Sequence, residues 1–169
     1  MVIIYRSNTG FTREYAEMLG KAEKLKVYSA REAADSVPAG EPVFFMGPLM
    51  AGHITGIDKA VKRYAVKGVC GVGMSPPSQQ TLDALAKANY VPGAPIFYLQ
   101  GGWAPDKVGW FKRRMVNMVT KSTREALRGK GHRRTHAEEA QYQMLLKGGS
   151  FVSFDNLRSI RVWLKSQAE

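Results

Sequence analysis

Met1-Val2-Ile3-Ile4-Tyr5-Arg6, then Ser7-Asn8-Thr9-Gly10-Phe11-Thr12, then Arg13-Glu14-Tyr15-Ala16-Glu17-Met18-Leu19 is the stretch on which the reading turns. An apolar, β-branched run stops at a short hydroxyl- and glycine-rich loop. A segment with helical spacing follows at once, with Tyr15, Met18, Leu19 and Ala22 on one side. The pattern is strand, loop, helix. Ser7, Thr9 and Thr12 offer hydroxyls, and Gly10 can take a backbone angle that other residues resist. Unpaired N–H groups at a helix start favour an anion, so this loop is suited to a phosphate. The plainer reading is a capped helix start, since Ser and Thr cluster there anyway. The spacing S-x-T-G-x-T has no lysine after a glycine, as a P-loop would, and there is no G-x-G-x-x-G.

Working outward, 169 residues suit one compact domain, 1–169, and 44% hydrophobic content provides for a core. A single cysteine, Cys70, excludes an internal disulfide and fits a reducing cytoplasm. No apolar run approaches a membrane span, so the expectation is a cytoplasmic protein, at most peripheral at the inner face of a membrane. The net charge of +11 is concentrated. From Lys107 to Arg134 there are ten Lys or Arg against one acid, Glu125, so this segment carries +9.

Further strands are expected at 25–28, at Pro42 to Gly47, at Val69 to Gly73 and at Pro95 to Leu99. Helices are expected at Ala30 to Ser36, Ile54 to Ala65 and Gln79 to Ala88. Strands alternating with helices imply an α/β fold with a parallel sheet covered on both faces. The flavodoxin-like order 2-1-3-4-5 would place the loops 7–12, 47–53 and 73–78 around one crevice, beyond the carboxyl ends of the strands.

From Pro105 the pattern changes, which suggests a basic helical insertion over about 105–150. One helix over 107–128 would turn Val108, Phe111, Met115, Met118 and Val119 toward a core. Trp110 would then lie on the opposite, basic face with Arg113, Arg114 and Lys121. Thr135 to Glu138 has capping-box spacing, Phe151 to Phe154 reads as extended, and Asp155 reads as the N-cap of a last helix packing through Leu157, Ile160, Trp163 and Leu164.

With these pieces in place the chain resembles the flavodoxin-domain family, in its branch similar to menaquinone-dependent protoporphyrinogen oxidases. The residues carrying the resemblance are Ser7-x-Thr9-Gly10-x-Thr12, Gly47 through Gly52-His53, Gly101-Gly102, Trp110 to Met115 and Val152 to Asp155. It implies a three-layer sandwich and one non-covalent FMN passing electrons to or from a partner, either a redox protein or a quinone. The phosphate ligands it implies are Ser7, Thr9 and Thr12 with the backbone of Asn8, Gly10 and Phe11. The flavin ring would lie between Pro48-Leu49-Met50-Ala51-Gly52 and Met74-Ser75-Pro76. These loops bear Leu49, Met50 and Met74 where typical members place a stacking aromatic, and they lack the usual surrounding acids.

The implied activity is that of an FMN-dependent oxidoreductase. The alternatives are an electron carrier without a substrate of its own and a fold that has lost FMN and serves only as a binding module. The basic segment has three readings. It could be a solvated face with Trp110 lying on arginine stems, or a surface for anionic lipid headgroups through Trp110, Arg113, Arg114 and Lys121. The third, nucleic-acid binding, has no stacking sheet or helix-turn-helix pattern to support it. His53 could meet a flavin carbonyl or simply begin a helix. Trp103 could cover a flavin edge or pack on a helix. His132 and His136 lack the company a metal needs, and Cys70 reads as inert packing.

Overall fold

The computed structural model describes residues 1–167. They form two compact units, one comprising 1–101 and 152–167 and the other 102–151.

In the first unit, β1 (Val2–Tyr5), β2 (Val27–Ser29), β3 (Pro42–Met50), β5 (Ala65–Gly73) and β6 (Ile96–Gln100) form a parallel sheet in the order β2-β1-β3-β5-β6. A short antiparallel strand, β4 (His53–Ile54), hangs on the end of β3. Leaving β4 aside, this is the expected order 2-1-3-4-5. Helices α1 (Phe11–Glu23), α2 (Ala30–Ser36), α3 (Ile57–Arg63), α4 (Gln79–Ala88) and α8 (Arg158–Ser166) complete a three-layer, flavodoxin-like α/β sandwich.

Strand alternation sorts the core into two halves. Ile3, Phe44, Met46, Cys70 and Leu99 face the layer of α1 and α8, where Tyr15, Leu19, Leu157, Ile160 and Leu164 are buried. Ile4, Val43, Phe45, Val69 and Tyr98 face the layer of α2, α3 and α4, where Ala33, Ile57, Ala60 and Leu85 are buried. The last helix docks through aromatic packing. Trp163 lies 5.5 Å from Phe44 and 5.7 Å from Phe97 between ring centroids. Gly68 makes the room, since a Cβ there would come within 2.6 Å of the Trp163 ring. Cys70 is fully buried, and burial pushes its thiol pKa up, so it packs as an inert apolar group.

Several expected boundaries move. The strand expected at 25–28 lies at 27–29, and the capping box of Ser29 and Glu32 starts α2 directly behind it. The open loop expected over 47–53 is a β-hairpin instead. β3 runs on to Met50, and Leu49 and Met50 pair with Ile54 and His53 across the turn Ala51-Gly52, both residues at positive φ. The helix expected from Ile54 therefore starts only at Ile57, and it ends at Arg63 because the next strand begins at Ala65, four residues before the apolar run. Ala65 is the expected end of that helix, yet the pairings Pro42↔Ala65 and Val43↔Val66 start the strand there.

The second unit contains β7 (Gly102–Trp103) paired antiparallel with β8 (Gly149–Ser150), α5 (Trp110–Val119), α6 (Lys121–Lys130) and α7 (His136–Lys147). Its buried residues include Trp103, Leu127, Gln141, Met144 and Leu145. The capping box of Thr135 and Glu138 opens α7 as expected, and Gly148 at φ 88° closes it. The continuous helix expected over 107–128 is broken at Thr120, whose φ/ψ of −90°/0° lies at the edge of the helical region. Its hydroxyl donates to Val116 O at 2.7 Å, a back-bond that competes with helix continuation. The expected core face is not buried, since Phe111, Met115, Met118 and Val119 are all exposed. Trp110 belongs with them and meets Phe111 edge-on at 5.9 Å rather than lying on arginine stems.

In the first unit, Ser153 rather than Asp155 caps the turn Phe154–Leu157 that leads into α8. The extended segment expected over 151–154 is displaced to 149–150.

Candidate functional site

The carboxyl ends of β1, β3, β5 and β6 lie along one edge of the sheet in the first unit. The loop 6–10 follows β1. The Arg6 N–H donates to Met46 O at 2.9 Å, carrying the β1–β3 ladder one residue past the strand. The chain then turns through Gly10 at φ 105°, ψ −24°, where a side chain would be strained. The Gly10 N–H donates to Ser7 Oγ at 3.1 Å, and this bond shapes the loop. Its orientation leaves the Ser7 hydroxyl proton available to a further acceptor. The first intrahelical bond runs from Glu14 N–H to Gly10 O at 2.9 Å. The N–H groups of Phe11, Thr12 and Arg13 therefore belong to the first turn, which has no intrahelical acceptors for them. Asn8 is exposed, Ser7 and Thr9 are half-buried, and Thr12 is buried under the loop.

Gly101, just beyond β6, crosses close to the start of α1. A Cβ there would stand 3.2 Å from Phe11 Cβ and 2.8 Å from Val72 Cγ1. Its N–H donates to Gly73 O at 2.7 Å. Backbone alone thus occupies this corner, beside the helix start.

The second loop is the hairpin already described. Ala51 and Gly52 form its exposed tip, Met50 is exposed beside them, and Pro48 is half-buried. Leu49 packs down on the sheet, near Gly71 and Gly73, where a Cβ would meet its methyl carbons. The hairpin is held from beneath by Asn89, buried just past α4. Asn89 Oδ1 accepts from Ile54 N–H at 2.7 Å, and Nδ2 donates to Gly52 O at 2.8 Å and Leu85 O at 2.9 Å. His53 is engaged by Asp58, Nε2 to Oδ2 3.0 Å.

The third loop, Met74-Ser75-Pro76, is tied to β6 by two side chains that share one strand face. Tyr98 OH donates to Ser75 O at 2.6 Å, and Gln100 Nε2 donates to Met74 O at 3.0 Å. Burial raises the Tyr98 pKa, which keeps the phenol protonated as a donor. Tyr15 OH donates to Gln100 O at 2.6 Å and accepts from Asn156 Nδ2 at 2.7 Å, linking α1, β6 and the turn before α8. Burial raises the pKa of Tyr15 as well.

The structure therefore brings residues 7–12, 48–52 and 74–76 to one edge of one sheet. It also adds the residues that fix the second and third loops, Asn89 for the hairpin and Tyr98 and Gln100 for 74–75, with Tyr15 bonded to Gln100 O. Tyr98 and Gln100 left a sequence signal, polar groups at alternate positions in the apolar run Ile96-Phe97-Tyr98-Leu99-Gln100. Asn89 left none, because an amide after a helix is ordinarily solvated. Trp103, a residue of the second unit, is buried. A separate depression of about 190 Å³, walled by Arg6, Phe45, Lys59, Arg63 and Tyr64, opens between α2 and α3, and residues 7–12 take no part in its lining.

Fold and loops together define a doubly wound α/β sandwich with a hydroxyl-rich loop at its first strand–helix turn. No family model matches the sequence, and no curated protein matches it. Among solved structures, the chain is similar to a protein from Bacteroides uniformis ATCC 8492 provisionally described as a flavoprotein. The identity is 14%, covering 66% of this chain and 96% of that one, with a TM-score of 0.37.

Proposed function

We propose that the first unit binds FMN and that the protein is a flavoprotein of electron transfer, an oxidoreductase resembling the flavodoxin-fold protoporphyrinogen oxidases. The observation that carries this reading is the loop 7–12, turned by Gly10 into the N-terminus of α1 beside two further loops and the backbone corner at Gly101. These residues fit a terminal phosphate. The Ser7 and Thr9 hydroxyls and the first-turn N–H groups are donors, and no acid lies in 6–12 to repel a dianion. The ring would be flanked by Pro48 to Gly52 and Met74 to Pro76, with Met50 and Met74 contributing thioether contacts.

The chemistry supplied by FMN when bound is reversible one- and two-electron transfer. The chain's part is orientation and field. Asn89 sets the position of one flanking loop, and Tyr98 and Gln100 set that of the other. The partner would be a redox protein or a quinone.

The test is to add FMN to the purified protein. Binding at a hundredfold excess over Kd contributes about 2.7 kcal/mol, which should raise Tm by about 5–10 °C and quench flavin emission. Anaerobic protoporphyrinogen should then bleach the visible absorbance. A carrier would leave it unbleached yet be reduced rapidly by a flavoprotein reductase. No change in Tm or emission at saturating FMN would remove the redox reading altogether.

A second expectation follows from charge. The three loops 6–12, 47–53 and 73–78 contain no Asp or Glu, and Arg6 stands at the start of the first. A site without a negative field disfavours an added electron less than an acid-lined one. The two-electron midpoint potential should accordingly lie above that of flavodoxins whose flavin is ringed by carboxylates. A spectroelectrochemical titration giving an equally low potential would contradict this.

A further inference from the structure

The least expected surface of the molecule is on α5. Trp110, Phe111, Met115, Met118 and Val119 are exposed by 74%, 62%, 45%, 70% and 70%. At about 100° per residue these five positions fill one half of the helix circumference. The other half contains half-buried Val116 and Arg113, whose guanidinium folds back onto Pro105 O at 2.6 Å. A contiguous apolar face of this kind marks an interaction site. Its charge selects the occupant. α5 has no acidic residue, exposed Arg114 lies inside the apolar arc, and exposed Lys112 stands at its edge. Among the described residues neither cation has a carboxylate within ion-pair distance, whereas Lys121 pairs with Glu125 and Arg113 lies near Asp106.

We propose that this face of α5 docks on an anionic lipid surface, with Trp110, Phe111, Met115, Met118 and Val119 at the headgroup–acyl boundary and Lys112 and Arg114 reaching lipid phosphates. A short convex helix with bulky apolar groups at its centre and long cations among them matches that boundary. The grooves of a nucleic acid offer no burial for Met118 and Val119, which separates this surface from a purely basic patch. The inference is independent of flavin binding.

The test is co-sedimentation of the full chain, with and without FMN, with vesicles of phosphatidylcholine alone or mixed with phosphatidylglycerol. Anionic vesicles should bind at least about tenfold more tightly than neutral ones, and high salt should weaken the difference. Phe111→Ser with Met118→Ser should weaken binding about tenfold or more, as should Lys112→Gln with Arg114→Gln, each at unchanged Tm. Should the serine pair fail to fold, the glutamine pair tests the same face, since it removes only exposed charge. Anionic vesicles should also shift tryptophan emission to the blue, and Trp110→Phe should remove that shift, because Trp103 is buried and Trp163 lies in the core of the other unit. The proposal is overturned by absence of sedimentation, by vesicle binding that the serine pair leaves unchanged, by tighter binding to a DNA duplex through the same residues, or by a dimer that the serine pair dissociates without any vesicle binding.

Discussion

FMN should bind at least about a hundredfold more tightly than riboflavin, and Ser7→Ala with Thr9→Ala should remove about two orders of magnitude of that preference. The two ligands differ by the phosphate alone, so their ratio isolates the loop from the ring site. A hydrogen bond to a charged acceptor contributes about 1.5–3 kcal/mol, and about 1.4 kcal/mol is tenfold in Kd. Two hydroxyls therefore account for two orders of magnitude or more. Ser7 has a second task, because its oxygen accepts from the Gly10 N–H at 3.1 Å. Losing that bond should cost about 1 kcal/mol, or about 2–4 °C in Tm. Riboflavin affinity provides the internal control, and it should be the same in the variant and the parent. Fluorescence titration of both ligands against both proteins decides the matter. Equal affinities of the parent for FMN and riboflavin would mean that the loop caps a helix and holds no phosphate.

Asn89→Leu should strongly destabilise the hairpin that carries the second candidate loop. The amide is buried and serves three backbone groups across two elements. Leucine leaves the Ile54 N–H and Gly52 C=O without partners, at about 1–3 kcal/mol each. The expected loss is about 2–5 kcal/mol, or about 5–15 °C in Tm. Amide exchange at Ile54 should accelerate ahead of global unfolding, because the hairpin is released first. Asn89→Asp distinguishes the donor from the acceptor. It keeps the oxygen that receives from Ile54 but turns a second oxygen toward two carbonyls. The ionised form is disfavoured there, so the folded-state pKa should rise above the usual aspartate value near about 3.9. Stability of this variant should be greatest below that value and should fall as pH rises through the raised pKa. A denaturation series across pH that showed no such slope would place the amide nitrogen outside the network.

The opening stretch was legible because local chemistry determines it. Gly10 needs its positive φ wherever the chain turns from β1 into α1, and Ser7 reaches back only three residues to shape the turn. The capping boxes of α2 and α7 belong to the same class of short-range instruction. The hairpin at 50–53 was harder to see, since Ala51 at φ 50° carries no glycine signal. The expected helix runs to Ala65, but Ala65 is taken by the sheet, where it pairs with Pro42 of β3. The largest reversal is α5. Its amphipathic pattern was plain, but periodicity states only that two faces differ. It does not state which one meets protein.

By itself, then, the sequence determined the turn at Gly10 and the helix caps, which depend on contacts a few residues apart, and the alternation of strands and helices that implies a parallel sheet. Tertiary structure alone decided that Asn89 holds the hairpin and that Tyr98 and Gln100 tie down the loop 74–76, and that the apolar side of α5 faces outward. The physical reason is shared. A polar side chain is informative only once its burial is known, and an apolar one only once its neighbour is known, and both are properties of distant pieces of chain brought together.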